Sequence, residues 1–311
     1  MIKKTLYFGN PAYLSTRNEQ LVIKLPEVEK DNDLPDNFKK NSERLFPIED
    51  LGVVVLDHKQ ITLTHGLVEK LLENNTALIT CDSHRMPIGL MLPLCGNKTQ
   101  SERFNNQITA SDPLKKNLWQ QTIKAKIQNQ AAILKKHRSC NTRNMEYWAG
   151  EVRSGDPDNY EARSAAYYWS ELFPQIPDFT RERTGIPPNN LLNYGYAILR
   201  SVIARALVGS GLLPTLGIHH HNRYNAYCLA DDIMEPYRPY VDELVVSIMD
   251  NGEDYAELTT PLKSKFLQIP TIDVVIGGKK SPLMVAAGQT TASLNQCFDG
   301  KLRKIKYPEL R

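Results

Sequence analysis

Three consecutive histidines, His219, His220 and His221, are followed at short range by Asp231, Asp232 and Glu235. A Pro-Tyr-Arg-Pro run then closes the stretch at Pro239. Imidazole and carboxylate side chains at close quarters suit a hard or borderline divalent cation, and such a cation activates water or a hydroxyl. Neighbouring side chains in extended chain diverge, so at most one or two of the three histidines can face one ligand. Asp232 can cap the helix that follows it, with Glu235 as an acid in its first turn. Against that ordinary role stand Pro236 and Pro239, which restrict the backbone before them and imply that Glu235 is presented outside regular helix. Arg238 can either orient that carboxylate or grip a phosphate with its planar fork.

A second acid stands well upstream. Glu161 opens a helical stretch whose same face carries Ala165, Tyr168 and Leu172. A carboxylate on an apolar stripe needs a partner, although a first-turn acid favoured by the helix dipole explains Glu161 equally well. Other chemistries lack their signatures: there is no phosphate-binding loop of the Gly-x-x-x-x-Gly-Lys kind, no dinucleotide fingerprint and no nucleophile elbow. The five cysteines, at 81, 95, 140, 228 and 297, are odd in number and irregularly spaced. They fit neither a disulfide framework nor a zinc ribbon, and point to a reducing cytoplasm.

The elements that must position these residues fall into two regions. The first ninety-odd residues carry short β-branched runs at 21–25, 52–56, 61–64, 77–81 and 89–92, interrupted by one short helix at 65–74. Residues 27–50 are charged, contain proline and read as a loop-rich insertion. Residues 98–112 are polar and without pattern, and are read as a linker. Beyond it the chain turns helical. Leu114, Leu118, Ile123, Ile127, Ala131 and Leu134 mark a long amphipathic helix whose other face carries lysines. Asp158 and Asn159 can cap the helix of Glu161. A nearly all-apolar helix starts after Pro187-Pro188 and stops near Gly209-Ser210-Gly211, with Ser281-Pro282 opening a last one. Asn193, Arg200 and Arg205 interrupt the apolar helix, which marks it as a buried core element rather than a membrane span. The N-terminus has no sustained apolar run, so no signal peptide is expected. The expected fold is α+β: a β-rich domain over 1–97, a linker over 98–112 and a larger all-α catalytic domain over 113–311.

The net charge of +3 is unevenly spread. Residues 112–143 hold eight Lys or Arg against one acid, and 301–311 hold five against one, which leaves −8 on the rest of the chain. Concentrated positive segments on an acidic body suggest a polyanion surface, with Lys115, Lys116, Lys124, Lys126, Lys135, Lys136 and Arg138 as its DNA-facing candidates. Solvated lysines on an amphipathic helix account for the first segment equally well.

Several segments, in order, resemble the family of CRISPR-associated protein 1. They are 160–167 (YEARSAAY), 189–199 (NNLLNYGYAIL), 211–220 (GLLPTLGIHH), 229–242 (LADDIMEPYRPYVD) and 282–287 (PLMVAA), with 6–14 (LYFGNPAYL) at the start. The Glu-Pro-Tyr-Arg-Pro form is most like the members from type II systems. What the resemblance implies is a metal-dependent integrase and endonuclease of spacer acquisition. The family's metal-binding positions fall on Glu161, His220 and Glu235, with Asp232 and Arg238 as auxiliary residues. The implied cofactor is Mg²⁺ or Mn²⁺. The implied partners are prespacer and leader–repeat DNA, a second copy of the chain joined through the β-rich domain, and CRISPR-associated protein 2. A prokaryotic cytoplasmic location without membrane contact is implied as well. A general metal-dependent nuclease that never integrates would use the same ligands, and a non-catalytic DNA-binding scaffold would need none.

Overall fold

The computed structural model describes residues 2–310 and divides into two units, 1–96 and 97–311. Short alternating apolar runs build the first. Its strands are β1 (Lys4–Phe8), β2 (Ala12–Arg17) and β3 (Gln20–Lys24); then come α1 (Pro26–Lys30), α2 (Asp36–Ser42) and β4 (Arg44–Pro47). β5 (Leu51–Leu56), β6 (Ile61–Leu63), α3 (His65–Glu73), β7 (Ala77–Cys81) and β8 (Pro87–Met91) complete it. One sheet runs β1-β5-β7-β8, parallel except for β8, and a second runs β4-β3-β2-β6. The β2–β3 hairpin turns at Asn18 and Glu19, both with positive φ. Leu14, Leu21, Leu51, Val54, Leu67 and Leu78 share one buried core. Thr64 caps α3 by accepting the Leu67 N–H.

The 27–50 stretch is more ordered than its composition suggests, because β4 joins the edge of a sheet by pairing with β3. Its four residues, Arg-Leu-Phe-Pro, are too few to show strand periodicity, and the pairing supplies the order.

The second unit is helical with one small sheet. Its helices are α4 (Gln100–Ile108), α5 (Asp112–Arg138), α6 (Arg143–Glu151), α7 (Tyr160–Leu172), α8 (Asn189–Gly209), α9 (Cys228–Met234), α10 (Arg238–Asp250), α11 (Thr260–Phe266) and α12 (Leu283–Phe298). β9 (Asp273–Ile276) pairs with β10 (Lys279–Pro282) across the Gly277-Gly278 turn and with β11 (Pro308–Glu309). Ser281 and Pro282 therefore end a strand rather than start the last helix, which begins at Leu283.

The stretch read as a linker contains α4. Few apolar side chains mark it, because a polar one anchors it: buried Gln107 donates to the carbonyls of Leu213 and Leu216 and accepts the Leu213 N–H. Such a helix is stabilised by tertiary contacts and leaves little periodicity to read.

α8 is the central rod. It alone among the described residues is long and apolar enough to cross a membrane, and 72% of that window is buried inside the protein. Its burial against α9, α10 and α12 accounts for its composition. Gly195 lets α8 approach closely, since a Cβ there would meet Val241 of α10 at 2.4 Å and Phe266 of α11 at 2.9 Å.

Candidate active site

Four elements of the helical unit converge: α5, the start of α7, the loop before α9, and the α9–α10 junction. α5 starts cleanly, with the Ser111 hydroxyl accepting the Leu114 N–H and Pro113 in the first turn. Its buried stripe runs through Trp119, Thr122, Ile123, Lys126, Ile127 and Gln130.

Lys126 thus lies on the inner face, not among the solvent-facing lysines, and its candidacy as a DNA contact is withdrawn. Its ammonium donates to Glu161 Oε1 at 2.8 Å and stands 2.7 Å from Glu235 Oε2. Two carboxylates remote in sequence therefore meet at one cation. Burial opposes the charge on Lys126, but Glu235 and Glu161 outweigh it and raise its pKa.

Glu161 is delivered by the first turn of α7. The cap is Asp156, not Asp158 or Asn159: its carboxylate accepts the N–H groups of Tyr160 and Glu161, both at 2.9 Å. Asn159, in left-handed backbone, makes no side-chain cap, and Asp158 pairs with Arg153.

Glu235 begins a 3₁₀ turn, Glu235–Tyr237, between α9 and α10. Its own dihedrals are right-handed helical (φ −52°, ψ −46°), so the following proline does not expel it from helical backbone. What the prolines change is the hydrogen bonding: Pro236 and Pro239 donate none, and the chain tightens here from α to 3₁₀. Asn129 holds the turn by donating to the Pro236 carbonyl at 2.8 Å. The Arg238 Nε donates to Glu235 Oε1 at 2.8 Å, so Arg238 orients the carboxylate. Burial works against ionisation of Glu235, yet Arg238 and Lys126 overcome it and hold its pKa down to about 2.

His220 is set by a buried acid. Asp232, fully enclosed in α9, does not cap a following helix. Its Oδ2 accepts the N–H of Ile218 at 2.7 Å and of His219 at 3.0 Å; its Oδ1 accepts the N–H of His220 at 3.3 Å and pairs with His220 Nδ1 at 2.5 Å. That pairing leaves Nε2 as the ring's free ligating nitrogen, an arrangement common behind metal-binding histidines. The hydrogen bond to Asp232, opposed by burial, raises the His220 pKa. The loop can close on Asp232 only because residue 217 is glycine: a Cβ there would lie 2.3 Å from the His220 carbonyl and 2.8 Å from Asp232 Oδ2.

The three histidines separate. His219 stacks face to face on Trp119, with centroids 4.1 Å apart, and His220 meets the same indole edge-on at 5.6 Å. His221 is exposed. Burial lowers the pKa of His219, in keeping with a neutral ring packed on an indole. Asp231 is engaged elsewhere, held by Arg200 at 2.6 Å and Asn225 at 2.7 Å.

Two carboxylates and an imidazole are the donor set that Mg²⁺ or Mn²⁺ accepts, and the Lys126 ammonium shows that the two carboxylates converge on a cation. Among the described residues no three or more acid, histidine or cysteine side chains are arranged, as they stand, to hold a metal ion. The donor types suit a divalent ion, and the Lys126 ammonium lies where the two carboxylates point.

The remaining basic residues do not form one stripe. Lys136 pairs with Glu243 at 2.7 Å, and Arg138 pairs through two nitrogens with Asp250, at 2.8 and 3.0 Å. Lys115 lines a cavity of about 390 Å³ beside His220, together with His221 and Arg223. Lys116 and Lys135 are exposed. Lys124 lines a separate open groove with Arg303, Lys304 and Lys306 from the tail, while Arg311 of that tail lies outside the described residues.

The chain matches the family described as CRISPR associated protein Cas1 over residues 6–261. It is 31% identical over 312 residues to a CRISPR-associated endonuclease Cas1 of Neisseria meningitidis serogroup C, covering 100% of this chain and 97% of that one. Its fold is similar to a casposase solved bound to integration product, with a TM-score of 0.76 and 20% identity, covering 98% of this chain and 92% of that one. It is also similar to a chain of a Cas6-RT-Cas1–Cas2 complex, with a TM-score of 0.72 and 19% identity, covering 100% of this chain and 36% of that one. This chain belongs to the CRISPR-associated protein Cas1 family.

Proposed function

We propose that the chain is a divalent-metal-dependent integrase and endonuclease that joins 3′-hydroxyl ends of foreign DNA into the leader–repeat junction of a CRISPR array. The observation that carries this reading is the convergence of Glu161 and Glu235 on one cation position, with His220 held in a ligating tautomer by Asp232. The names of the endonuclease relative and of the casposase bound to integration product agree with it.

In this reading Glu161, Glu235 and His220 Nε2 hold Mg²⁺ or Mn²⁺. The bound ion supplies charge stabilisation at the phosphodiester and lowers the pKa of an attacking hydroxyl. The protein does the positioning. Asp232 fixes the imidazole, Arg238 fixes Glu235, and Asp156 fixes the turn that carries Glu161. The incoming 3′-oxygen forms a bond to phosphorus as the bond to the leaving 3′-oxygen breaks. One phosphodiester replaces another, so no external energy source is needed. Water in place of the 3′-hydroxyl gives hydrolysis from the same groups.

The groove of Lys124, Arg303, Lys304 and Lys306 carries backbone phosphate in this reading, along with Lys115 beside His220. The working assembly contains a second copy of the chain and CRISPR-associated protein 2, in the prokaryotic cytoplasm, and the Cas1–Cas2 content of one structural relative agrees with it.

A strand-transfer assay tests the reading: a 3′-hydroxyl duplex, a leader–repeat plasmid, the companion subunit and Mg²⁺ or Mn²⁺. A covalently joined product that requires Glu235 and His220 supports it. Cleavage without joining overturns integration in favour of simple nuclease action, and the absence of any DNA cleavage or joining that responds to metal or chelator overturns catalysis altogether.

A further inference from the structure

Lys126 has no role in the ligand set just proposed, yet it is the group on which both acids converge. It lies 35 residues before Glu161 and 109 before Glu235, on a different helix from either, and only 10% of its side chain is exposed. Burying a lysine is costly unless its charge is met, and here two carboxylates meet it. Glu235 is doubly provided for, since Arg238 already satisfies its other oxygen.

Charge counting separates the two cations. Glu161 and Glu235 supply two negative charges, and Lys126 and Arg238 supply two positive ones. A divalent ion entering between the carboxylates would stand at contact distance from two resident cations in a poorly screened setting, and Asp232 nearby is already engaged by His220. One resident cation has to leave. Arg238 is fixed, with its guanidinium over the Tyr196 ring at 4.5 Å and its Nε on Glu235. Lys126 sits at the end of a flexible four-carbon stem, and its ammonium is a point charge that can turn away. Beside it lies a cavity of about 240 Å³, lined also by Gln130, Trp169, Arg181 and Asp242. Asp242 is an acid toward which the displaced ammonium can move.

We propose that Lys126 is a resident counter-cation of the active site. In the metal-free protein it holds Glu161 and Glu235 together against their mutual repulsion, and the divalent ion binds by displacing its ammonium. Lys126 is a positioning residue that competes with the metal, so the site trades metal affinity for a preformed arrangement of acids. This rests on the ligand assignment of the preceding section.

Mn²⁺ binding, read from the electron paramagnetic resonance signal of free Mn²⁺, tests the inference without an activity assay. The arms are the parent protein, Lys126→Met, Lys126→Arg and His220→Ala. Removing one contact charge from the site is expected to tighten Mn²⁺ binding by about tenfold or more in Lys126→Met. Lys126→Arg should restore a competing charge and bring the affinity back toward the parent's. Parent-like or weaker binding by Lys126→Met overturns the competition, because a lysine that only supported the site would give that result. If His220→Ala binds Mn²⁺ as the parent does, the ligand assignment falls first, and the two failures are thereby told apart.

If Lys126→Met does not fold, the parent alone decides. Amine-acylating reagent followed by peptide mass spectrometry should modify Lys126 more in saturating Mn²⁺ than without metal. Unchanged modification under Mn²⁺ saturation overturns the inference.

Discussion

Asp232→Asn is the sharpest perturbation of this site, because the side chain keeps its shape and loses an acceptor. The parent carboxylate receives four donors: three backbone N–H groups on Oδ2 and Oδ1, and His220 Nδ1. An asparagine can turn its oxygen to Ile218 and His219, but its NH₂ then faces the His220 N–H and ring. Donor meets donor at the backbone, and the ring must adopt the opposite tautomer, with its proton on Nε2. One backbone hydrogen bond is replaced by a donor–donor contact and the other three lose their charge assistance in a fully buried place, so unfolding free energy should fall by about 3 kcal/mol. For a unit of this size that corresponds to a Tm lower by roughly 6–12 °C. With Nε2 protonated, the imidazole no longer ligates, and Mn²⁺ affinity should drop by about 10–100-fold. Calorimetric melting and Mn²⁺ titration measure the two effects on one preparation. Asp231→Asn is the control, since Asp231 holds Arg200 and Asn225 instead. It should leave Mn²⁺ affinity unchanged. Parent affinity in Asp232→Asn, or an equal loss in Asp231→Asn, would refute the idea that Asp232 sets the ligating tautomer.

Other consequences follow from the same geometry. His220 has a folded pKa above its ordinary 6.5, so its protonated form adds stability below pH 6.5 that is lost as pH rises through the raised value. Since the protonated ring cannot ligate, Mn²⁺ affinity measured at stepped pH should weaken as pH falls through the raised His220 value, and an identical pH profile in His220→Ala would contradict the assignment. Asp242, buried beneath the hydroxyls of Tyr168 and Tyr196, has its pKa pushed up by burial from 3.8 to about 6. Its contribution to stability is complete below pH 3.8 and lost as pH rises through about 6, roughly 3 kcal/mol in all. Chemical denaturation at stepped pH should therefore show a flatter profile in Asp242→Asn, and an unchanged profile would count against the burial argument. Gly217→Ala should lower Tm and Mn²⁺ affinity together, because its Cβ would push the His220 carbonyl away from Asp232. Replacing Lys124 and Lys304 with alanine should flatten the salt dependence of DNA binding by about two counter-ions at most, leaving Mn²⁺ affinity intact.

The sequence carries the elements and the candidate residues of this site to different degrees, for reasons that differ by residue. The order of elements could be read because short β-branched runs and long 3.6-residue periods are local signals. The positions of Glu161, His220 and Glu235 came from family motifs, while the residue-level reading left three histidines and several acids open. Counting charge along the segment puts Lys126 on the solvent face, whereas it lies on the buried one. The corrective signal was there, since Trp119, Ile123 and Lys126 recur at helical spacing and put the lysine on the apolar stripe. What pattern cannot reveal is pairing across the fold. The carboxylates that make a buried Lys126 tolerable stand on other elements, as do the carbonyls that anchor Gln107 of α4. Asp232 illustrates the same limit: its local spacing suits a helix cap, but its four donors come from a loop twelve to fourteen residues upstream.

The central claim is that Glu161, His220 and Glu235 hold one catalytic cation position from which Lys126 withdraws. Anomalous diffraction at the manganese edge, from crystals grown with and without Mn²⁺, tests it most directly. The expected result is a manganese peak within coordination distance of Glu161, Glu235 and His220 Nε2, with the Lys126 ammonium moved off both carboxylates. A peak at other residues, or an ammonium still seated between the two glutamates in Mn²⁺-saturated crystals, would contradict it.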